Sequence, residues 1–490
     1  MKARKLSSLF VALTLLVGTT AAGQQEDHAP ETSKVERKNR APVSKDILKV
    51  TLPRATEATL SNGLTVLIME NNRLPLISMQ FNISGAGPIF EPSSVPGLAS
   101  IAATMLREGT KTRNSVQIAE QTSLLGAEIS ASAGFGSSST VINASGLSDN
   151  FDQWLALTDD ILLNPTFPAD ELNRLKQRLK AQLKQQRANP SFLSNETFAR
   201  AVYGPHPASV VAATNESIDA ITPEMLLKWH QDRYTPQNTI LGITGDVKAA
   251  DVVQKLEKAL AAWKKTDLKE VLPPNPKAAA AKRVLLVDRP GSVQTTVALG
   301  NIAIDRRDPD YIALNVANHI LGGGPAARLF LNLREEKGYT YGVYSNFTAL
   351  KYPGPWRAGG DVRTEVTAGA MTEFMKEFSR IRDEKVPASE LEEAKRAIVA
   401  GFALSLESPS ELLGYAIVRK IYGFPADYWD TYPAQVMAIT ADDVQRVARK
   451  YINPENLQVV AVGDVGKIRP VMEKYGPVEV YNADGKKVTN

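Results

Sequence analysis

The chain has 490 residues, 43% of them hydrophobic and 22% charged. That composition fits a globular protein of two or three domains and excludes a disordered or fibrous one. A formal charge of +4 is too weak a bias to argue for nucleic acid or an anionic membrane surface, and with no cysteine there is neither a disulfide nor a thiolate to bind zinc.

Residues 1–23 divide into basic MKARK, the apolar run LSSLFVALTLLVG and small-residue TTAAG. This order reads as a secretory signal peptide, and the run is short for a bilayer span. A retained membrane anchor is the blander alternative. The expected location is outside the cytoplasm, in a bacterial periplasm, with no membrane contact after cleavage. Residues 24–50 are polar, charged and proline-bearing, and are expected to form a flexible lead-in.

The first domain is expected over residues 51–271. Alternating apolar and β-branched residues predict strands at 63–69 and 77–85. A helix at 95–107, a strand region at 127–146 and a long helix at 168–187 follow. A Thr-capped helix, a Pro-x-Asn turn and a strand ending in Gly-Asp-Val close the unit. Residues 272–282, LPPNPKAAAAK, read as a linker. The second domain, 283–476, runs the same way: strands at 283–288 and 294–301, a helix at 309–321, a strand region at 339–362 and a long helix at 387–406. Residues 477–490 are expected to be a tail.

The parallel is an internal repeat. Residues 221–247 and 439–465 share seven identities at one offset: Ile221/Ile439, Thr222/Thr440, Pro236/Pro454, Asn238/Asn456, Gly245/Gly463, Asp246/Asp464 and Val247/Val465. One residue further in offset, FPADEL matches VPASEL, Pro190 meets Pro409, and Tyr203-Gly204 meets Tyr422-Gly423. The fold class is therefore α+β: two homologous domains, each a mainly antiparallel sheet packed with helices.

The stretch GLASIAATMLREGT (97–110) reads as one helix, opened by Pro96-Gly97, capped by Ser93 or Ser94 and ended by Gly109. Together with SNGLTV (61–66), YGPHP (203–207), the Gly-Asp-Val ends and GGGPAARLFLNLREEKGYTYGVYS (322–345), it resembles the pitrilysin, insulinase and mitochondrial-processing-peptidase family in its short two-domain form. The resemblance implies half of a clamshell. Active members carry H-x-x-E-H on this helix. Two imidazoles one turn apart grip zinc there, and the Glu takes a proton from the bound water. The register places those positions at Ser100, Ala103 and Thr104, and the family's third ligand at Ala181 or Gln182. None is a usual zinc ligand, so no metal site and no cofactor are expected in this chain. His28, His206, His230 and His319 are scattered singly.

The second half retains an Arg and a Tyr in the family's spacing, Arg334 and Tyr341. Arg334 is expected in the last turn of a helix starting near Ala326 and capped by Gly338, with Tyr341 at the start of a strand. The resemblance implies that the pair contacts substrate near the scissile bond. The bland reading is a helix-end cation and a packed aromatic. Gly322, Gly323 and Gly324 lack a Gly-Lys-Ser/Thr ending and are not a phosphate loop. They are expected to end the preceding helix and to let backbone approach a neighbour or an extended peptide.

The expected function is that of the zinc-free subunit of an exported heterodimeric zinc metallopeptidase, inactive alone. A homologous partner bearing H-x-x-E-H would hold the zinc, and the substrates would be peptides or unfolded segments. The alternative is a non-catalytic peptide-binding or scaffold protein of the same fold.

Overall fold

Two six-stranded sheets organise the chain, one in each half. The computed structural model describes residues 47–488, so the expected signal peptide and residues 24–46 of the expected lead-in lie outside the described residues. The first sheet comprises β1 (Thr56–Thr59), β2 (Thr65–Glu70), β3 (Leu76–Ser84), β4 (Glu128–Ser132), β5 (Ser139–Leu147) and β6 (Thr239–Gly245), in the order β1-β2-β6-β3-β5-β4. The second comprises β7 (Arg283–Asp288), β8 (Gln294–Ile304), β9 (Thr340–Ala349), β10 (Pro353–Arg363), β11 (Gln458–Gly463) and β12 (Val478–Tyr481), in the order β12-β7-β11-β8-β10-β9. Both are mainly antiparallel, with β2–β6 and β7–β11 as matching parallel pairs.

The duplication extends to local chemistry. Thr222 caps the Pro223–Arg233 helix by accepting from Met225 N, and Thr440 caps Ala441–Tyr451 by accepting from Asp443 N. The long helices run Ala169–Arg187 and Ala388–Ser405. The outer edges of the sheets differ: β1 pairs antiparallel to β2, whereas β12 runs parallel to β7.

The last strand corrects the expectation of a tail. Val478–Tyr481 is held by backbone pairing to β7, and the Glu479 carboxylate accepts from Arg283 at 2.7 Å. The lead-in is likewise anchored at its end. Leu48, Val50 and Leu52 pack on the second core, and Leu52 N donates to Asp430 Oδ1 at 2.9 Å.

The two halves exchange equivalent helices. Pro190–Tyr203, from the first half, lays Leu193, Phe198, Ala199 and Val202 on Leu285, Val287, Ala298, Val460 and Val462 of the second sheet. Pro409–Tyr422, its counterpart, lays Leu413 and Ile417 on Leu67 and Met69 of the first sheet. The central strands are therefore buried on both faces. Val66 and Ile68 of β2 enter their own half's core while Leu67 and Met69 meet the visiting helix, following the two-residue period of a strand. The described residues accordingly form one compact unit.

The close approach requires glycine. A Cβ on Gly242 of β6 would lie 2.7 Å from Ile417 Cδ1 and 3.0 Å from Leu413 Cδ1. Gly242→Val is expected to destabilise the protein by about 1–3 kcal/mol through overpacking. Gly401→Ala, in an open helical position where a Cβ meets nothing within 4 Å, should stabilise it by about 0.5–1 kcal/mol. Denaturant unfolding of both variants checks the pair.

Candidate functional site

The helix at the expected metal site runs Leu98–Met105 and continues as a 3-10 turn, Leu106–Glu108. Neither Ser93 nor Ser94 caps it. Both are exposed in the turn preceding Pro96, and the N-cap residue is Gly97, left-handed at φ 99°. The free N–H groups are satisfied by a side chain from further back: the Glu91 carboxylate accepts from Gly97 N at 2.9 Å and from Ala99 N. Burial pushes the Glu91 pKa up to about 7, against those two hydrogen bonds. Gly109 follows the 3-10 turn in extended backbone rather than as a left-handed cap. A side chain there would strike Pro168, whose Cγ lies 2.7 Å from the Cβ position.

Ser100, Ala103 and Thr104 occupy consecutive turns of this helix, and none is free to bind a metal. Ser100 Oγ donates to Ala133 O at 2.5 Å, and Thr104 Oγ1 donates to Ser100 O at 2.9 Å. Ala103 is fully buried and has no donor atom. Ser100 lines a cleft of about 210 Å³ with Gln182, Phe135 and Val211. A hydroxyl, a methyl and a neutral amide do not fit zinc, whose protein ligands are imidazole, thiolate and carboxylate. Among the described residues no group of three or more His, Asp or Glu side chains is placed to hold a metal ion. His230 Nε2 is 2.7 Å from Leu162 O, and burial lowers its pKa to about 4. His206 is buried beside the rings of Tyr203 and Tyr352.

The structure brings Arg334 and Tyr341 together. The Arg334 guanidinium carbon lies 4.7 Å from the Tyr341 ring centroid and 4.7 Å from that of Phe330, so the cation contacts both aromatic rings. Its ion pair with Glu335, at 3.4 Å, is solvent-exposed and worth little. Tyr341 is 87% exposed, an unusual surface position for an aromatic on a strand.

The helix carrying Arg334 differs from the expected one. It begins at Arg328 rather than near Ala326, and Leu331–Glu336 is a π-turn, with Lys337 N donating to Asn332 O at 3.0 Å. Such wide turns occur mostly as single-turn bulges within α-helices and are frequent at functional sites. Gly338 then reverses the chain at φ 61° and donates to Arg334 O. Buried polar contacts fix the turn. Arg328 makes a two-point ion pair with Glu390, both bonds 2.7 Å, and Asn332 Nδ2 donates to Glu373 and Glu377, both at 2.8 Å. These anchors were not singled out in the sequence, because their carboxylate partners lie 41 to 62 residues away.

Of the three glycines, Gly322 is a packing residue. Its Cβ would sit 2.4 Å from Ser345 N, so the helix Tyr311–Gly322 closes directly on β9. Gly323 is exposed and Gly324 meets nothing within 4 Å, so these two remain accessible beside the Arg334 turn.

The duplicated half-sheets, the metal helix without ligands and the outward Arg–Tyr pair define a zinc-peptidase scaffold of the inactive type. Two family models match: Insulinase (Peptidase family M16) over residues 78–209, and Peptidase M16 inactive domain over residues 220–398. The chain belongs to the M16 family of peptidases. It is similar to a crystal structure titled peptidase M16 inactive domain from Pseudomonas fluorescens, at 28% identity and TM-score 0.78, over 84% of this chain and 98% of that one. A protease structure from Helicobacter pylori shares the fold at 21% identity and TM-score 0.76, covering 84% of this chain and 100% of that one. A Rickettsia bellii protein named an uncharacterized zinc protease is 26% identical over 403 residues, 80% of this chain and 93% of its own length.

Glu91 makes the metal helix sensitive to pH. Its folded pKa of about 7 lies above the 4.5 of a free side chain, so the folded state binds more protons between those values. Stability therefore falls as pH rises through that window. Glu91→Gln cannot ionise, so its stability relative to wild type should rise between pH 5 and pH 8, by an amount on the order of 2 kcal/mol. Asp159, also raised to about 7, contributes equally to both proteins and cancels. Unfolding titrations at several pH values provide the check.

Proposed function

We propose that this chain is the zinc-free subunit of an exported heterodimeric metallopeptidase. A homologous partner bearing H-x-x-E-H would supply zinc, water and base, and this chain would supply substrate-contacting donors and half of the peptide chamber. The observation that carries the reading is the asymmetry between two inherited positions. Ser100, Ala103 and Thr104 carry no imidazole, thiolate or carboxylate, whereas Arg334 stands on a π-turn against the rings of Phe330 and Tyr341, with its side chain 36% exposed. The order of basic, apolar and small residues over 1–23 supports export.

The contribution of this chain is electrostatic. A guanidinium edge and a phenol are rigid donors that can orient a substrate carbonyl and stabilise the oxyanion that forms when it is attacked. Exposed Tyr341, with Tyr344 at 45% and Leu331 at 49% exposure, gives an apolar surface suited to a peptide or to the facing subunit. Gly323 and Gly324, which carry no side chain, allow an extended peptide to approach the adjoining backbone.

The test combines the purified chain with a candidate H-x-x-E-H partner and follows peptide cleavage. Neither protein alone should reach the rate of the mixture. Arg334→Ala should lower kcat of the mixture by about 10²–10³-fold, and Tyr341→Phe by a similar order, with its zinc content unchanged. Full activity in both variants would contradict the donor role and favour the scaffold reading.

A further inference from the structure

Arg357 is a half-buried guanidinium without a counter-ion. It lies on β10 opposite Asn346 of β9 and faces the visiting helix Pro190–Tyr203. Its Nη1 donates to Asn195 Oδ1 at 3.3 Å and its Nη2 to Ser194 Oγ at 3.4 Å, both long bonds to neutral oxygens. The guanidinium carbon lies 5.2 Å from the Phe198 ring centroid. No carboxylate of the described residues pairs with it, and burial alone pushes its pKa down, with nothing of opposite charge to offset the effect.

Three other partly buried arginines are ion-paired, Arg328 with Glu390, Arg187 with Glu196 and Arg113 with Asp160, whereas buried Arg306 is enclosed by the rings of Tyr311, Phe424 and Tyr428. Arg357 has one ring and two long bonds to neutral oxygens in a cavity wall, so its guanidinium keeps the capacity to bind an anion there. Arg357 borders a cavity of about 250 Å³ whose polar lining includes Asn195, Asn346 and Tyr352. The Tyr352 hydroxyl is already committed to Gly136 O. The same cavity shares Phe135 and Val211 with the cleft beside Ser100 and Gln182. A peptide chain passing the emptied metal helix therefore has a short route to Arg357.

We propose that Arg357 is the receptor for a carboxylate of a bound peptide, with the amides of Asn195 and Asn346 as flanking donors. The group recognised is either a C-terminal carboxylate or an Asp or Glu side chain, since both present two oxygens to the guanidinium fork. The site would make this subunit select acidic or chain-terminal segments. The inference rests on the reading of the chain as a peptide-handling subunit.

The experiment measures binding of the full chain to four fluorescent peptides of one sequence: C-terminal acid or amide, each with an internal Glu or Gln. The wild type should bind at least one carboxylate-bearing form about tenfold more tightly than the doubly neutral form. The position of the preferred carboxylate identifies the source. Arg357→Gln should bind all four with the affinity wild type shows for the neutral peptide, and Arg357→Lys should recover part of the preference. Without ligand, the thermal midpoint of Arg357→Gln should match or exceed that of wild type, whereas an arginine kept only to join the halves would lower it. No carboxylate preference in wild type, or an unchanged preference in Arg357→Gln, overturns the proposal. If no peptide binds, the peptide-handling reading fails and propionate becomes the probe. A propionate-dependent rise in the midpoint of wild type but not of Arg357→Gln retains the site, and no rise in either overturns it.

Discussion

The structure depends on the reciprocal exchange of two helices. Each half lends the other the helix that covers the second face of its sheet, Pro190–Tyr203 in one direction and Pro409–Tyr422 in the other. A sheet with a parallel central pair needs apolar cover on both faces. Neither half has that cover without the other. The exchange therefore turns a tandem duplication into one body, and it explains why glycine stands at Gly242 of β6. At Gly300 of β8 a Cβ would strike its own sheet first, 2.1 Å from Trp356 O of β10, and then Phe198 Cζ of the visiting helix at 2.8 Å. Charged contacts reinforce the same seam. Arg419 and Lys420, at the end of one exchanged helix, both bind Glu57 of β1 and hold its carboxyl below the usual range.

That constraint fixes the relation between the two inherited positions. The helix Leu98–Met105 packs within the first half's core, whereas Arg334 and Tyr341 belong to the second half. In the first half the chemistry has been replaced by self-satisfied hydrogen bonds: Ser100 on Ala133, Thr104 on its own helix. In the second, buried ion pairs and amide bonds hold a π-turn that presents a cation rather than neutralising it. A helix end needing only a favourable charge for its dipole would not require Arg328, Asn332, Glu377 and Glu390 to be spent beneath it.

Much of this was legible in the sequence, for local reasons. Two-residue alternation marked β2, β3, β7 and β8, and Thr222 and Thr440 announced their helices by a side chain that reaches three residues ahead. The repeat register paired Pro190 with Pro409, the first residues of the exchanged helices, yet nothing in a helix's own period states which sheet it will cover. The Glu91 cap was hidden because it acts over six and eight residues rather than from the N-cap position. The strand Val478–Tyr481 was hidden because four residues carry little alternation and the pairing comes from β7, far away in sequence. The Arg–Tyr pair was legible as spacing, but the contact with Phe330 and the π-turn were not. The π-turn is held by hydrogen bonds to a helix that follows later in the chain, and it sets how Phe330 and Arg334, four residues apart, meet.

With Ser100, Ala103 and Thr104 on its helix and Ala181 or Gln182 opposite, the isolated chain offers zinc neither imidazole nor carboxylate at those positions. Zinc content and peptidase activity of the isolated chain, exhaustively freed of contaminating metalloenzymes, decide the matter. Added zinc should dialyse away and no peptide bond should be cut. Zinc retained stoichiometrically, together with cleavage by this chain unaided, would contradict that expectation.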